Sequence, residues 1–351
     1  MRSGTGIVRG SGAEARRFRW LPWTVALPAV LVWAVAPPGS GDGFLWVFVA
    51  VSATVGMFHG AADASLARLQ VPGTRAIRAL PGGLGYWYLG LMGLTAALWA
   101  LAPAAALGLF LVLTAWHWGS GDLPARGLAL RSAAGLGRGL LVLGCALRVG
   151  GSEAVELFEA LGVGAVSVSG VTAAGKLACA AAAGLTLLAV GASPPEEERS
   201  RGARVHWAVE SVLLAVVLSA LPVYAGLALY YGAFHSLRHL AVLGGLWRDH
   251  LGRVARGAAR RREAVASLAI PLLVTLVILA LAPGLAIAGG APGVETMAVV
   301  FQALAVLTTP HAFATALIVR ESRCIPSPGV VAQSAAGHGL RGRLAVRADG
   351  R

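Results

Sequence analysis

Apolar runs long enough to cross a bilayer recur along the whole of this chain. They fall at roughly 20–36, 43–60, 84–102, 104–119, 133–149, 171–191, 206–221, 224–246, 264–283 and 295–319. The hydrocarbon core of a membrane is crossed by about 20 mainly apolar residues of helix. Inside it every backbone N–H and C=O must be satisfied within the protein, and runs of this length do that as helices. The expected fold is therefore all-α, a polytopic membrane helical bundle of about 8–10 transmembrane helices. Composition agrees. Only 13% of residues are charged and 57% are hydrophobic, where soluble domains carry about a quarter charged residues.

The formal charge of +13 first suggests nucleic acid, but the arginines are not gathered into a binding stripe. They occupy the short connections and tails: Arg68, Arg75 and Arg78; Arg126 and Arg131; Arg199, Arg201 and Arg204; Arg248 to Arg262; Arg320 and Arg323. The alternate connections, 37–42, 103, 150–170 and 284–293, are Gly- and Pro-rich and nearly free of Lys and Arg. That is the topogenic pattern of a membrane protein, and it excludes a nucleic-acid partner. It places both termini on the cytoplasmic side of a bacterial cell membrane. Residues 1–19 read as a basic cytoplasmic tail, 20–319 as the integral membrane domain, and 320–351 as a disordered Arg/Gly-rich cytoplasmic tail. No small-residue cleavage site follows the run at Trp20, so it reads as a first spanning helix and not a removed signal. Cys145, Cys179 and Cys324 form no CxxC pair and read as buried free thiols.

Five of the eight histidines lie inside apolar runs: His59, His117, His235, His239 and His311; His206, His250 and His338 fall at boundaries or tails. The most specific segment is Tyr230-Tyr231-Gly232-Ala233-Phe234-His235-Ser236-Leu237-Arg238-His239. In a helix His235 and His239 leave the same face one turn apart. Ionisable groups at membrane depth face the protein interior, and two imidazoles at this spacing can chelate one metal ion. All five histidines sit on even-numbered runs, about 11–16 residues from the outer start of each, or roughly 17–24 Å down at 1.5 Å per residue. One layer is what a metal site built from separate helices requires. A lone intramembrane histidine is more often a helix–helix hydrogen-bonding residue; the spacing and the shared depth argue for ligands.

Other polar residues accompany them. Asp63 lies four residues after His59 and Asp122 five after His117. Each fits a hydrogen-bond acceptor that fixes a ligand imidazole, and each fits equally a helix-end residue at the interface. Arg238 fits either a side chain snorkelling to the cytoplasmic face or a partner for one of these aspartates. Phe58, Trp116, Trp118, Tyr230, Tyr231, Phe234 and Phe313 fit a membrane belt or the wall of a dry apolar pocket. The residues alone thus describe an intramembrane, all-histidine site suited to Fe, Cu, Zn or Ni.

Four blocks, FHGAAD at 58–63, WHWGSGD at 116–122, YYGAFHSLRH at 230–239 and TTPHAF at 308–313, resemble the bacterioopsin-related Brp/Blh family of β-carotene 15,15′-dioxygenases. Ala62 and Trp118 stand where that family usually has Leu and Phe; neither is a metal-binding residue. The resemblance implies a cofactor, Fe(2+), held by His59, His117, His235 and His239 as catalytic residues. His311 matches a further family histidine of open role, and Asp63, Asp122 and Arg238 would support the site or its pocket. It also implies β-carotene and O2 as substrates, two molecules of retinal as product, and a rhodopsin as acceptor. Three alternatives remain at this point. One is the same fold acting on another carotenoid or apocarotenoid. Another is a membrane protein that binds a carotenoid or retinoid, or transports a solute, without catalysis. A di-iron desaturase is less consistent, since the chain has one HxxxH pair and no HxxHH.

Overall fold

The computed structural model of the chain describes residues 12–35, 51, 56, 59–60, 79–81, 83–121, 131–191, 198–240, 273, 276–277, 284 and 293–324. Helices follow one another as α1 Gly12–Val35, α2 Leu84–Leu101, α3 Pro103–Gly121, α4 Arg131–Val149, α5 Gly151–Ala160, α6 Val168–Gly191, α7 Glu198–Ala220, α8 Val223–Leu229 and α9 Val294–Cys324. A π-helical segment, Tyr230–Ser236, continues α8, and 237–240 are helical again. No strand occurs among the described residues. Leu84–Leu101, Ser132–Val149, Val168–Gly191 and Val294–Leu317 are each long and apolar enough to cross a membrane. The fold is an all-α membrane bundle.

Most expected runs become helices within a few residues of their predicted ends. Four places differ. α7 begins at Glu198, so Arg199, Arg201 and Arg204 lie in its first turns and not in a connection before it. The backbone is already helical from Gly12, so Arg16, Arg17 and Arg19 extend the first helix instead of preceding it. The 150–170 connection contains α5, whose Gly151, Ala154 and Leu157 are buried at helical spacing against α6 and α9. Ten residues with one apolar face fold this way because neighbouring helices cover that face. The 320–351 tail begins as the last turn of α9, up to Cys324; its remainder lies outside the described residues. The 43–60 run is described only at Val51, Gly56, His59 and Gly60, and the 264–283 run only at Leu273, Leu276 and Val277.

Burial follows a bilayer logic. On α7, Trp207, Glu210, Ser211, Leu214 and Leu218 are buried, while Val209, Val212 and Val216 on the opposite face are more than half exposed. The interior stripe thus carries the polar residues and the outer stripe is aliphatic. Leu101 at 84% and Leu177 and Leu187 at 72% exposure repeat this on α2 and α6. An exterior of this kind suits lipid rather than water.

Small residues fix how closely the helices cross. A Cβ on Gly139 of α4 would collide with the carbonyl of Ala115 on α3, and one on Gly119 with the carbonyl of Gly135. These are paired small-xxx-small faces, which bring membrane helices into backbone contact. On its other side α4 meets α6, where a Cβ on Gly175 would lie 2.6 Å from the amide nitrogen of Arg148. The free thiols Cys145 and Cys179 face each other across the same contact, sulfurs 4.0 Å apart. α4 is thereby held between two neighbours, and α3 is locked at the turn that carries His117.

One acidic residue accounts for two buried arginines. Arg138 of α4 is 1% exposed and Arg238, after the π segment, 2%. Glu210 of α7 accepts from both: from Arg138 Nη2 at 3.2 Å, and through its other oxygen from Arg238 Nη2. The guanidinium of Arg138 also lies 5.6 Å from the Trp207 ring and that of Arg238 5.4 Å from the Phe234 ring. Arg238 therefore does not snorkel to an interface. It ties the histidine-bearing segment to α7, and through Glu210 to α4.

Two outcomes follow from this packing. Gly139→Ala forces α3 and α4 apart, and overpacking of this kind costs about 1–3 kcal/mol. Thermal unfolding in detergent should show a lower midpoint, and an unchanged midpoint would mean that the helices do not cross there. Glu210→Gln leaves two buried guanidiniums without their shared counter-charge, which costs about 3–5 kcal/mol. The double variant Glu210→Gln with Arg138→Gln should recover part of that loss in the same measurement. Wild-type stability in Glu210→Gln would show that the ion cluster does not hold the helices together.

Candidate metal centre

The π segment arranges its side chains in two columns. Tyr230 and Phe234 stack at 6.1 Å with rings 8° from parallel, and Arg238 lies over Phe234. Beside them Tyr231 stacks on His235 at 6.0 Å and 12°, and His235 on His239 at 6.2 Å and 29°. An α-helix with 3.6 residues per turn rotates residues four apart out of line; the wider π turn, closed by i→i+5 bonds, brings them nearer to one line. The first column ends on the ion cluster and the second on the histidines. His235 and His239 share a face, as their spacing predicts.

Three further elements bring their histidines to this column. His59 comes from the 43–60 run, His117 from α3 and His311 from α9. His59 lies 5.0 Å from His235, 5.2 Å from His239 and 4.9 Å from His311, ring centre to ring centre. His117 lies 4.9 Å from His235, 6.4 Å from His239 and 4.6 Å from His311. All five intramembrane histidines of the sequence therefore form one cluster. Four of them are buried and His239 is half-buried. Glycine permits the approach: a Cβ on Gly56, three residues before His59, would overlap the Tyr231 ring, and the His311 ring lies over Gly60.

The surroundings are aromatic and dry. Trp118 packs 6.1 Å from His235 and 5.6 Å from Tyr231, and Trp23 of α1 meets Phe234 edge-on at 5.0 Å. Trp118, Tyr230, Tyr231 and Phe234 are all buried, so they do not belong to an interfacial belt; Trp118 and Tyr231 lie against the histidines. A cavity of about 40 Å³ opens beside it, lined by Phe110, Trp118, Leu227, Tyr231, Phe301 and Leu304 among others. Phe313, by contrast, stacks on Trp87 of α2, away from the rings.

This donor set fits a metal. His59, His117 and His311 each offer a nitrogen, and the three atoms lie within 4.8 Å of one another. Among the described residues neither ring nitrogen of His59 or of His117 meets a hydrogen-bond partner. Buried polar atoms are ordinarily satisfied, and an ion coordinated by imidazole would satisfy these. An all-nitrogen set suits Fe, Cu, Zn or Ni.

The other expected residues divide. Asp63 and Asp122 lie outside the described residues, as do Phe58, His250 and His338. His206 is at a distance from the cluster, edge-on to Trp20 at 5.8 Å. Glu210 was not singled out by the sequence reading. The signal was present, because it is an acidic residue inside an apolar run and such residues face the interior and pair there.

The sequence also resembles known proteins. A curated relative, the "Probable beta-carotene 15,15'-dioxygenase Blh" of Halobacterium salinarum, is 30% identical over 239 residues, 63% of this chain and 67% of that protein. No solved structure matches the chain. Residues 49–318 match the sequence model described as "Beta-carotene 15,15'-dioxygenase", a span that begins just before the His59 segment and ends seven residues after His311. On that match, which covers all five clustered histidines, the chain belongs to the β-carotene 15,15′-dioxygenase family.

Proposed function

We propose that this chain is an iron-dependent membrane enzyme that cleaves the central 15,15′ double bond of β-carotene with O2. The observation that carries the reading is the convergence of five histidines from four separate segments into a buried aromatic chamber, in a chain of this family. The reaction balances without an outside reductant. The C15=C15′ bond breaks, each carbon takes one atom of O2, and two C=O bonds form, giving two molecules of retinal. The carotenoid would enter from the bilayer and leave as retinal for a binding protein such as a rhodopsin.

His59, His117, His235 and His239 would hold the iron. Iron(II) there would supply the redox chemistry that lets O2 react with a polyene. The chain's own residues do the rest. Trp118 and Tyr231 exclude water and offer flat apolar faces to a conjugated chain. Phe110, Phe301 and Leu304 extend that surface along the cavity beside the rings. Small-molecule sites usually measure about 300–1,000 Å³, so a cavity of about 40 Å³ must widen to admit the substrate. Arg238, fastened to Glu210, holds the turn between His235 and His239. Asp63 and Asp122 would accept hydrogen bonds from the imidazoles of His59 and His117.

The test is expression in cells that make β-carotene. Bleaching with formation of retinal is the expected result. His235→Ala and His239→Ala should each lose bound iron and lower retinal formation at least a hundredfold while remaining inserted in the membrane. Full cleavage with normal iron in either variant would remove that residue from the site. The same reading places the protein in the cell membrane with both termini in the cytoplasm. A reporter fused to the C-terminus should be active only in its cytoplasmic form, and activity restricted to the outside would reverse the topology.

A further inference from the structure

The four-histidine reading leaves one histidine of the cluster unused, and its position is not peripheral. Taken in order, His59–His235, His235–His117, His117–His311 and His311–His59 are 5.0, 4.9, 4.6 and 4.9 Å between ring centres. The four rings close a circuit with nearly equal sides. His235 and His311 hold equivalent corners, each between His59 and His117. His239 touches every ring of the circuit, at 5.2 Å from His59, 6.4 Å from His117, 6.2 Å from His235 and 5.6 Å from His311. The arrangement is a ring of four with a fifth placed against it.

The donor atoms group His311 with two of these rings. The nitrogens of His311, His59 and His117 lie within 4.8 Å of one another. A metal–imidazole bond is about 2.0–2.1 Å, so donors on opposite sides of one ion stand roughly 4 Å apart. Nitrogens this close reach one ion through small side-chain rotations. A histidine that merely links two helices needs one polar neighbour; His311 meets three of the other four imidazoles. The local chain supports the placement. The ring lies over Gly60, 3.6 Å from where a Cβ would stand, next to His59. Pro310, just before it, has no N–H to donate to the carbonyl one turn earlier, and lets α9 bend at the cluster.

We infer that His311 is a metal ligand and that the site is a five-histidine cage of His59, His117, His235, His239 and His311. The inference rests on the iron reading above and extends it. Five imidazoles leave a six-coordinate ion one open position where four leave two. The polyene would then be held by the aromatic walls alone and only O2 would have access to the ion.

X-ray absorption of the purified, iron-loaded wild-type protein tests this without relying on a variant. Five imidazoles per iron are expected, falling to four in His311→Ala, together with iron affinity at least tenfold weaker by titration. Added imidazole should restore iron uptake in His311→Ala, because it can occupy the space left by the side chain. Four imidazoles in the wild type, or an unchanged absorption spectrum and affinity in His311→Ala, would overturn the five-histidine cage and leave the four-histidine enzyme standing. His235→Ala separates the two readings. If that variant also keeps its iron and its spectrum, the metal lies elsewhere and both fall.

Discussion

A polar side chain inside a bundle surrounded by lipid can be satisfied only by another part of the protein. Most of this architecture follows from that constraint. Glu210 sits between Arg138 and Arg238, so one carboxylate joins α7, α4 and the segment that carries His235 and His239. Breaking such a cluster is expensive, although building it gains little over apolar packing. What it secures here is position. Arg238 lies between the two histidines in sequence, and its anchor determines where that turn of helix stands.

The same constraint operates on the histidines. Imidazole nitrogens buried beside Trp118 and Tyr231 need a partner, and an ion held among the rings would supply one. The histidine cluster and the ion cluster are two answers to one problem, placed on neighbouring columns of the helix that runs from the π segment to 240. Tyr230, Phe234 and Arg238 form the column that fastens the segment; Tyr231, His235 and His239 form the one that meets the other histidines. The widened turn, a rare one in proteins, is supported by both columns being stacked along their length.

Backbone proximity is the other requirement. Side chains from four separate segments reach one point only if their helices cross closely, and membrane helices gain no hydrophobic drive toward one another in lipid. Glycines supply the approach where it matters. Gly119 and Gly139 bring α3 and α4 into contact at the turn of His117, and Gly56 and Gly60 seat the His59 segment against Tyr231 and His311.

The sequence by itself determined the fold class, because runs of apolar residues of membrane length can satisfy their backbones only as helices. It determined the set of five histidines and the shared face of His235 and His239, because ionisable residues in apolar runs stand out and helical spacing is regular. It did not reveal α5, whose ten residues are too short to announce a span and fold because α6 and α9 cover one face. Nor did it reveal Glu210 as a partner of Arg238. Asp63 and Asp122 were nearer to histidines in sequence, whereas Glu210 reaches Arg238 only through the crossing of α7 with the π segment. The equal standing of His311 with His235 was likewise invisible. Depth along a helix follows from counting residues, but which rings face one another depends on helix rotation and crossing, and those are set by tertiary packing.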